Sequence, residues 1–309
     1  MLIPPADPVM SGRIDDEGEL DSRRIHQVVL DAKVGIEPGD RVLIGFCSDL
    51  GVIANHGRPG ARSGPEAIRR QLANFAFHSG PRLLDIGDVH PQDGDLSAAQ
   101  EELAVEVSTV LDKGGLPVVL GGGHEVAYGT WSGVVRALGP EGAAKLCVVN
   151  LDAHFDLRSN PVPSSGTPFY QMARSSELNG WRFNYRCLGI SNVANTQALF
   201  DRASSLGVEW VSDVDLQASV PDGLVASICE DFDHIYLTVD LDVLPSFAMP
   251  AVSAPSSLGV PQAVVELLIR SFMDTGKVVA VDFAEFNPSF DTDGRAARVA
   301  ARLVMSALG

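Results

Sequence analysis

The stretch "VVNLDAHFDLR", residues 148–158, decides how the rest of the chain is read. It starts as an apolar run and ends in acidic residues and a histidine at every second position. An extended chain alternates its side chains between two faces, so Asp152, His154 and Asp156 point the same way. Three close-set polar groups, two of them anionic, repel one another and cost free energy to desolvate. A cation is the simplest compensation.

The same pattern recurs along the chain: a short apolar run, a turn containing Gly or Asp, then a helical stretch. The runs fall at 41–47, 82–89, 116–122, 146–152, 185–190, 208–211, 234–242 and 277–285. Helical periodicity lies between them at 64–75, 96–113, 125–138, 194–207 and 260–276, and 294–308 closes the chain. Strand and helix in alternation predict a three-layer α/β/α fold whose mainly parallel sheet of about eight strands is covered on both faces. Residues 39–309 read as one domain. Residues 1–38, with an acidic patch at 15–19, read as an extension packed on or near it and outside the main sheet. In such folds the functional crevice lies beyond the carboxyl ends of the strands. The two longest irregular segments, 158–169 and 243–259, each follow a carboxylate cluster, as binding walls do.

Bulk properties exclude several classes of function. A formal net charge of −17, from 23 Lys and Arg against 40 Asp and Glu, argues against nucleic-acid binding. It also disfavours an anionic membrane surface. No apolar run approaches the roughly 18 residues of a membrane span, and no secretory signal is visible. Cys47, Cys147, Cys187 and Cys229 form no C-x-x-C pair, so they read as reduced thiols of a cytoplasmic protein.

Two further strand ends join the first cluster. "VVLGGGHE" places His124 after one, and "YLTVDLDVL" places Asp240 and Asp242, again at i and i+2, after another. Together the three ends offer two imidazoles and four carboxylates. Four negative charges match two divalent cations, and one bridging hydroxide would leave the site near −1. Two such ions about 3.5–4 Å apart would clamp and deprotonate a water. Ligands dominated by carboxylate oxygen, without thiolate, favour Mn²⁺ among catalytic metals, though affinity alone leaves Zn²⁺, Fe²⁺, Co²⁺ and Ni²⁺ open. "GGGHE" fits neither phosphate-loop fingerprint, and no G-x-S-x-G elbow is present.

With these motifs in view, the chain from about Arg41 onward resembles the arginase–agmatinase family of manganese ureohydrolases. "GGGHE", "DAHFD", "VDLDVL" and "AEFNP" carry the resemblance. It implies a dinuclear site with two Mn²⁺ per chain. One ion would take His124, Asp152, Asp156 and Asp240, and the other His154, Asp152, Asp240 and Asp242, with Asp152 and Asp240 bridging. Within the family the chain is most similar to the formimidoylglutamase branch, through "GFCSDLGVIANHGRPGARSGPEAIR", "SSGTPFYQ", "CLGISNVANTQALF" and "DFAEFNPSFD". Gly123 and Ser165 stand where arginases and agmatinases usually have Asp and His, and Ala296 stands where many relatives have Thr.

The implied reaction is hydrolysis of N-formimino-L-glutamate to L-glutamate and formamide by a metal-bridging hydroxide. Asp156 would shuttle the proton to the leaving nitrogen, and Glu285 would orient the amidinium group. A dicarboxylate substrate needs local positive charge, for which Arg158 is the first choice. Asn55, Arg58 and Ser165 are further substrate-binding candidates. The expected partners are a small-molecule substrate and, by resemblance, further copies of the chain in a homo-oligomer. Two alternatives stay open: a related hydrolase of guanidino compounds, and a non-catalytic metal-binding regulatory protein.

Overall fold

A computed structural model describes residues 1–5, 10–15 and 22–309. Among the described residues ten strands form one sheet: β1 (Leu2–Ile3), β2 (Leu30–Asp31), β3 (Arg41–Phe46), β4 (Leu83–Val89), β5 (Leu116–Leu120), β6 (Leu146–Leu151), β7 (Tyr185–Ile190), β8 (Glu209–Ser212), β9 (His234–Asp240) and β10 (Val278–Ala284). The spatial order is β1-β4-β3-β5-β10-β9-β6-β7-β8, with β2 also paired to β4. Every pairing is parallel except β1 with β4. The eight expected strands are all present. The other two correct the expectation for residues 1–38, because β1 and β2 join the sheet at the free side of β4. Two-residue strands carry too little alternation to register as a pattern. Of the acidic patch, residues 16–19 lie outside the described residues, while Asp15 pairs with Arg13 and Arg24.

The helices are α1 (Leu50–Ala54), α2 (Gly64–Leu72), α3 (Leu96–Asp112), α4 (Val126–Ala143), α5 (Pro168–Leu178), α6 (Gln197–Ser205), α7 (Leu224–Glu230), α8 (Gln262–Asp274) and α9 (Arg295–Leu308). One apolar cluster packs residues of α2, α7, α8 and α9 against one face of the sheet; another packs α3, α4, α5 and α6 against the other. This is the expected three-layer arrangement. The central strands β5 and β6 are buried along their whole length, which is why they read as continuous apolar runs. In α9 the buried positions Ala296, Ala297, Ala300, Ala301, Val304, Ala307 and Leu308 recur at helical spacing. Small residues set the contact between α3 and α4: a Cβ at Gly133 would stand 2.6 Å from Val107 and 2.7 Å from the Ala104 carbonyl. The expected end of α4 at residue 138 is a break, since Gly139 adopts φ 65° before Pro140 and a short continuation. Helices α1, α5 and α7 were not anticipated; two are short, and α5 carries polar residues through its middle.

Candidate functional site

Strands β5 and β6 are consecutive in sequence yet lie two strands apart, with β10 and β9 between them. The chain leaves β5 and β6 into α4 and α5 on one face, and leaves β9 and β10 into α8 and α9 on the other, so a crevice opens at the carboxyl ends of the four central strands. His124 follows β5, Glu285 follows β10, Asp240 ends β9 with Asp242 just beyond, and the DAHFD turn follows β6.

The structure brings all six expected ligands together. His124 is fully buried, and its Nδ1 faces three carboxylates: Asp152 Oδ2 at 3.2 Å, Asp156 Oδ2 at 3.1 Å and Asp240 Oδ2 at 3.1 Å. His154 Nδ1 lies 3.0 Å from Asp242 Oδ2 and 3.5 Å from Asp152 Oδ1. Asp152 thus turns one oxygen to each histidine, as a bridging carboxylate would. Ligand atoms of His124, Asp152, Asp156 and Asp240 lie within 4.8 Å of one another, as do those of Asp152, His154 and Asp242. Asp240 belongs to the first group only; its Oδ1 accepts the backbone N–H of Asp242 at 2.8 Å. Asp242 Oδ1 is buried without a partner.

Electrostatics alone leave the cluster under strain. Burial and the charges of Asp242 and Asp152 push the Asp240 carboxyl well up. Burial raises Asp242 to about 6, opposed by His154, and burial with the Asp152 charge raises Asp156. Burial opposes ionisation of Asp152 too, yet hydrogen bonds from His124 and His154 outweigh it and hold this carboxyl low. Both imidazoles are pushed well up by these carboxylates despite burial. Four carboxylates and two Nδ1 atoms in a buried crevice, one oxygen without any partner, form a donor set suited to divalent cations.

A second layer holds the ligands, and sequence reasoning did not pick it out. His124 Nε2 lies 3.0 Å from Thr238 Oγ1, and the Thr238 hydroxyl donates to Asp282 Oδ1 at 2.5 Å. Tyr236 donates to the other Asp282 oxygen. Asn150 Nδ2 donates to Asp152 Oδ2 at 2.9 Å and to the Tyr185 hydroxyl at 3.0 Å. Asn195 braces the DAHFD turn, accepting from Phe155 N and donating to the Ala153 carbonyl. Asn150 and Thr238 were within reach, since each sits two residues before a ligand on the same strand face. Nothing local marks Asn195 or Asp282.

Asp156 and Glu285 both adopt positive φ, 46° and 70°, a strain that non-glycine residues keep where the surroundings impose it. Glu285 Oε1 accepts the His124 backbone N–H at 2.9 Å, while its Oε2 is buried without a partner. Burial, helped by the Glu125 charge, raises its carboxyl to about 8. Glu125, passed over as a site residue, is fully buried and receives Gly51 N at 2.9 Å and Ser48 Oγ at 3.1 Å. This explains Gly123: a Cβ there would stand 2.1 Å from Glu125 Oε2 and 2.4 Å from Val52 Cγ2.

Three of the four substrate-binding candidates converge. Asn55 Nδ2 donates to Ser165 Oγ at 3.2 Å. A Cβ on Gly166 would stand 2.8 Å from Arg158 Cδ and 3.1 Å from Asn55 Nδ2. The Arg158 side chain is exposed and has no hydrogen bond or ion pair among the described residues. Arg58 is the exception. Its Nε donates to the Ser253 carbonyl at 3.1 Å, its Nη2 to those of Pro250 at 3.2 Å and Val252, and it stacks over Phe290. It clamps the 250–253 segment and is not a free carboxylate partner; the sequence could not show that those carbonyls would converge on it.

Comparison with known proteins adds an independent finding. The model of the Arginase family matches residues 39–309. The chain is similar to the formimidoylglutamase of Cupriavidus pinatubonensis, at 47% identity over 306 residues and 96% of each chain. It is similar to that of Aeromonas hydrophila at 49% over 302 residues, covering 96% of this chain and 95% of the other. Trypanosoma cruzi formiminoglutamase with Mn²⁺ superposes with a TM-score of 0.77 at 27% identity, over 87% of this chain and 93% of that one. Formimidoylglutamase from Bacillus subtilis gives 0.82 at 20% identity, over 98% and 96%, a likeness of fold.

Proposed function

The chain belongs to the arginase family, and on that premise we propose that it hydrolyses N-formimino-L-glutamate to L-glutamate and formamide. The observation that carries this reading is the nearly full-length likeness to formimidoylglutamases. The buried carboxylate–imidazole cluster at the sheet's carboxyl rim supports it.

The proposed cofactor is two Mn²⁺ ions: His124, Asp152, Asp156 and Asp240 would hold one, and His154, Asp152, Asp240 and Asp242 would hold the other. When bound, they supply Lewis acidity that brings the pKa of water toward neutrality. In the reaction a water oxygen adds to the amidine carbon. The bond from that carbon to the glutamate nitrogen breaks, and the nitrogen leaves with a proton. Asp156, at the edge of the cluster, carries that proton. Glu285 Oε2, buried and without a partner, holds the amidinium cation and orients it. Arg158, Asn55 and Ser165 take the glutamate carboxylates, with Arg158 contributing the charge. Among the described residues no helix is long and apolar enough to cross a membrane. A cytoplasmic setting and self-association belong to the same proposal; four unpaired cysteines support the first, and family resemblance the second.

The test is a substrate panel of formiminoglutamate, agmatine, arginine and guanidinobutyrate with Mn²⁺ present, assaying formamide and urea together. Formamide from formiminoglutamate should dominate. A higher kcat/KM for any guanidino compound, with urea as product, would overturn the assignment.

A further inference from the structure

Asp88 and His90 stand at i and i+2 at the end of β4, the spacing that also groups Asp152 with His154. Cys47 follows β3, the neighbouring parallel strand, and its backbone N–H donates to the Val89 carbonyl at 2.9 Å. One ligand atom from each of Cys47, Asp88 and His90 lies within 4.8 Å of the others. A bulge in the strand pairing creates this arrangement: Leu43 pairs with Asp85, but Gly45 pairs with Asp88. Asp88 then lies across β3, where a Cβ on residue 45 would stand 1.7 Å from its Oδ1. Gly45 leaves that space open.

Charge favours a cation here. Arg69 contacts both oxygens of Asp85, at 2.7 and 2.9 Å, and Asp88 Oδ1 at 2.5 Å. One guanidinium against two carboxylates leaves one negative charge beside the thiol. A divalent ion together with an ionised Cys47 would bring this group to neutrality. Without an ion, burial and the Asp88 charge push the Cys47 thiol up to about 12, so it keeps its proton.

We propose that Cys47, Asp88 and His90 form a third metal site, selective for a borderline-soft divalent ion such as Zn²⁺ or Co²⁺ and separate from the carboxylate cluster. Thiolate and imidazole favour such ions over Mn²⁺ or Mg²⁺. Zinc bonds of about 2.0–2.3 Å to N, O and S need only a modest closing of the three side chains, and three protein ligands leave a fourth position for water. On binding, the S–H bond breaks, its proton passes to solvent and the sulfur donates an electron pair to the ion; nothing is oxidised. The site shares a rim of the sheet with His124 but lies on β3 and β4, outside β5. It stands independently of the proposed hydrolysis.

The test uses full-length protein saturated with Mn²⁺ and then titrated with Co²⁺ while thiolate-to-cobalt absorption is followed in the near ultraviolet. The carboxylate cluster has no sulfur ligand, so cobalt exchanging into it is silent. The expected result is a thiolate band that saturates at one Co²⁺ per chain and is removed by competing Zn²⁺. The band should vanish in Cys47→Ser, and His90→Ala, at a partly exposed position, should weaken cobalt binding at least about 10-fold. No thiolate band in the unmodified protein, a band surviving in Cys47→Ser, or undiminished affinity in His90→Ala would overturn the proposal.

Discussion

Replacing Thr238 with Val tests how the second layer serves the proposed metal centre. Thr238 is fully buried, and its hydroxyl lies 3.0 Å from His124 Nε2 while donating to Asp282 at 2.5 Å. If His124 gives its Nδ1 lone pair to a cation, its proton must sit on Nε2, where Thr238 accepts it. In Thr238→Val that buried N–H has no acceptor, a penalty of about 1–3 kcal/mol. The metal-free protein relieves most of the penalty, because His124 can keep its Nδ1 proton against the three carboxylates and release the one on Nε2, a choice that a ring bound to a cation through Nδ1 does not have. The cost therefore falls mainly on the loaded state and weakens one of the two ions by up to about 5- to 150-fold. Equilibrium dialysis against buffered Mn²⁺, with metal analysis, reads this directly. The ion nearest His154 should bind as before, and Thr238→Ser should recover most of the loss. Affinity within about twofold of wild type, in a folded Thr238→Val, would refute the tautomer argument; a twofold change is only about 0.4 kcal/mol.

Other consequences follow from the same geometry. Arg158→Ala should lower kcat/KM for formiminoglutamate about 10- to 150-fold, from a lost carboxylate–guanidinium bond of about 1.5–3 kcal/mol, with metal content unchanged. Arg158→Lys should recover only part, since an ammonium lacks the planar fork. Asp152 stands in both ligand groups, so metal analysis should find Asp152→Ala stripped of both ions while His124→Ala keeps one. Gly123→Ala pushes a methyl against Glu125 and Val52 and should cost about 1–3 kcal/mol in urea unfolding.

Much of the fold was legible because parallel central strands are buried on both faces and read as unbroken apolar runs. The two-residue strands β1 and β2 were not, since pairing to β4 is fixed by its open side and not by their own pattern. The six expected ligands were legible for a different reason: each cluster directly follows a buried apolar run, even though the extended alternation expected of them stops at Leu151 and Asp240, where the DAHFD segment turns and Asp242 enters a 3-10 turn. What failed was anything set by contacts distant in sequence. Arg58 looked free in "NHGRPGAR", yet carbonyls nearly two hundred residues later, such as that of Val252, engage it. The role of Asp282 depends on the neighbouring strand's Thr238 and Tyr236, a pairing no local motif announces.

As a two-manganese hydrolase of formiminoglutamate, this cluster should need both ions for turnover. Metal-depleted protein titrated with Mn²⁺, with bound metal and formamide release measured on the same samples, tests it most directly. Activity should rise with occupancy and level off at two ions per chain. Full formamide release at a saturating one ion per chain, or two bound ions with no formamide released, would contradict it.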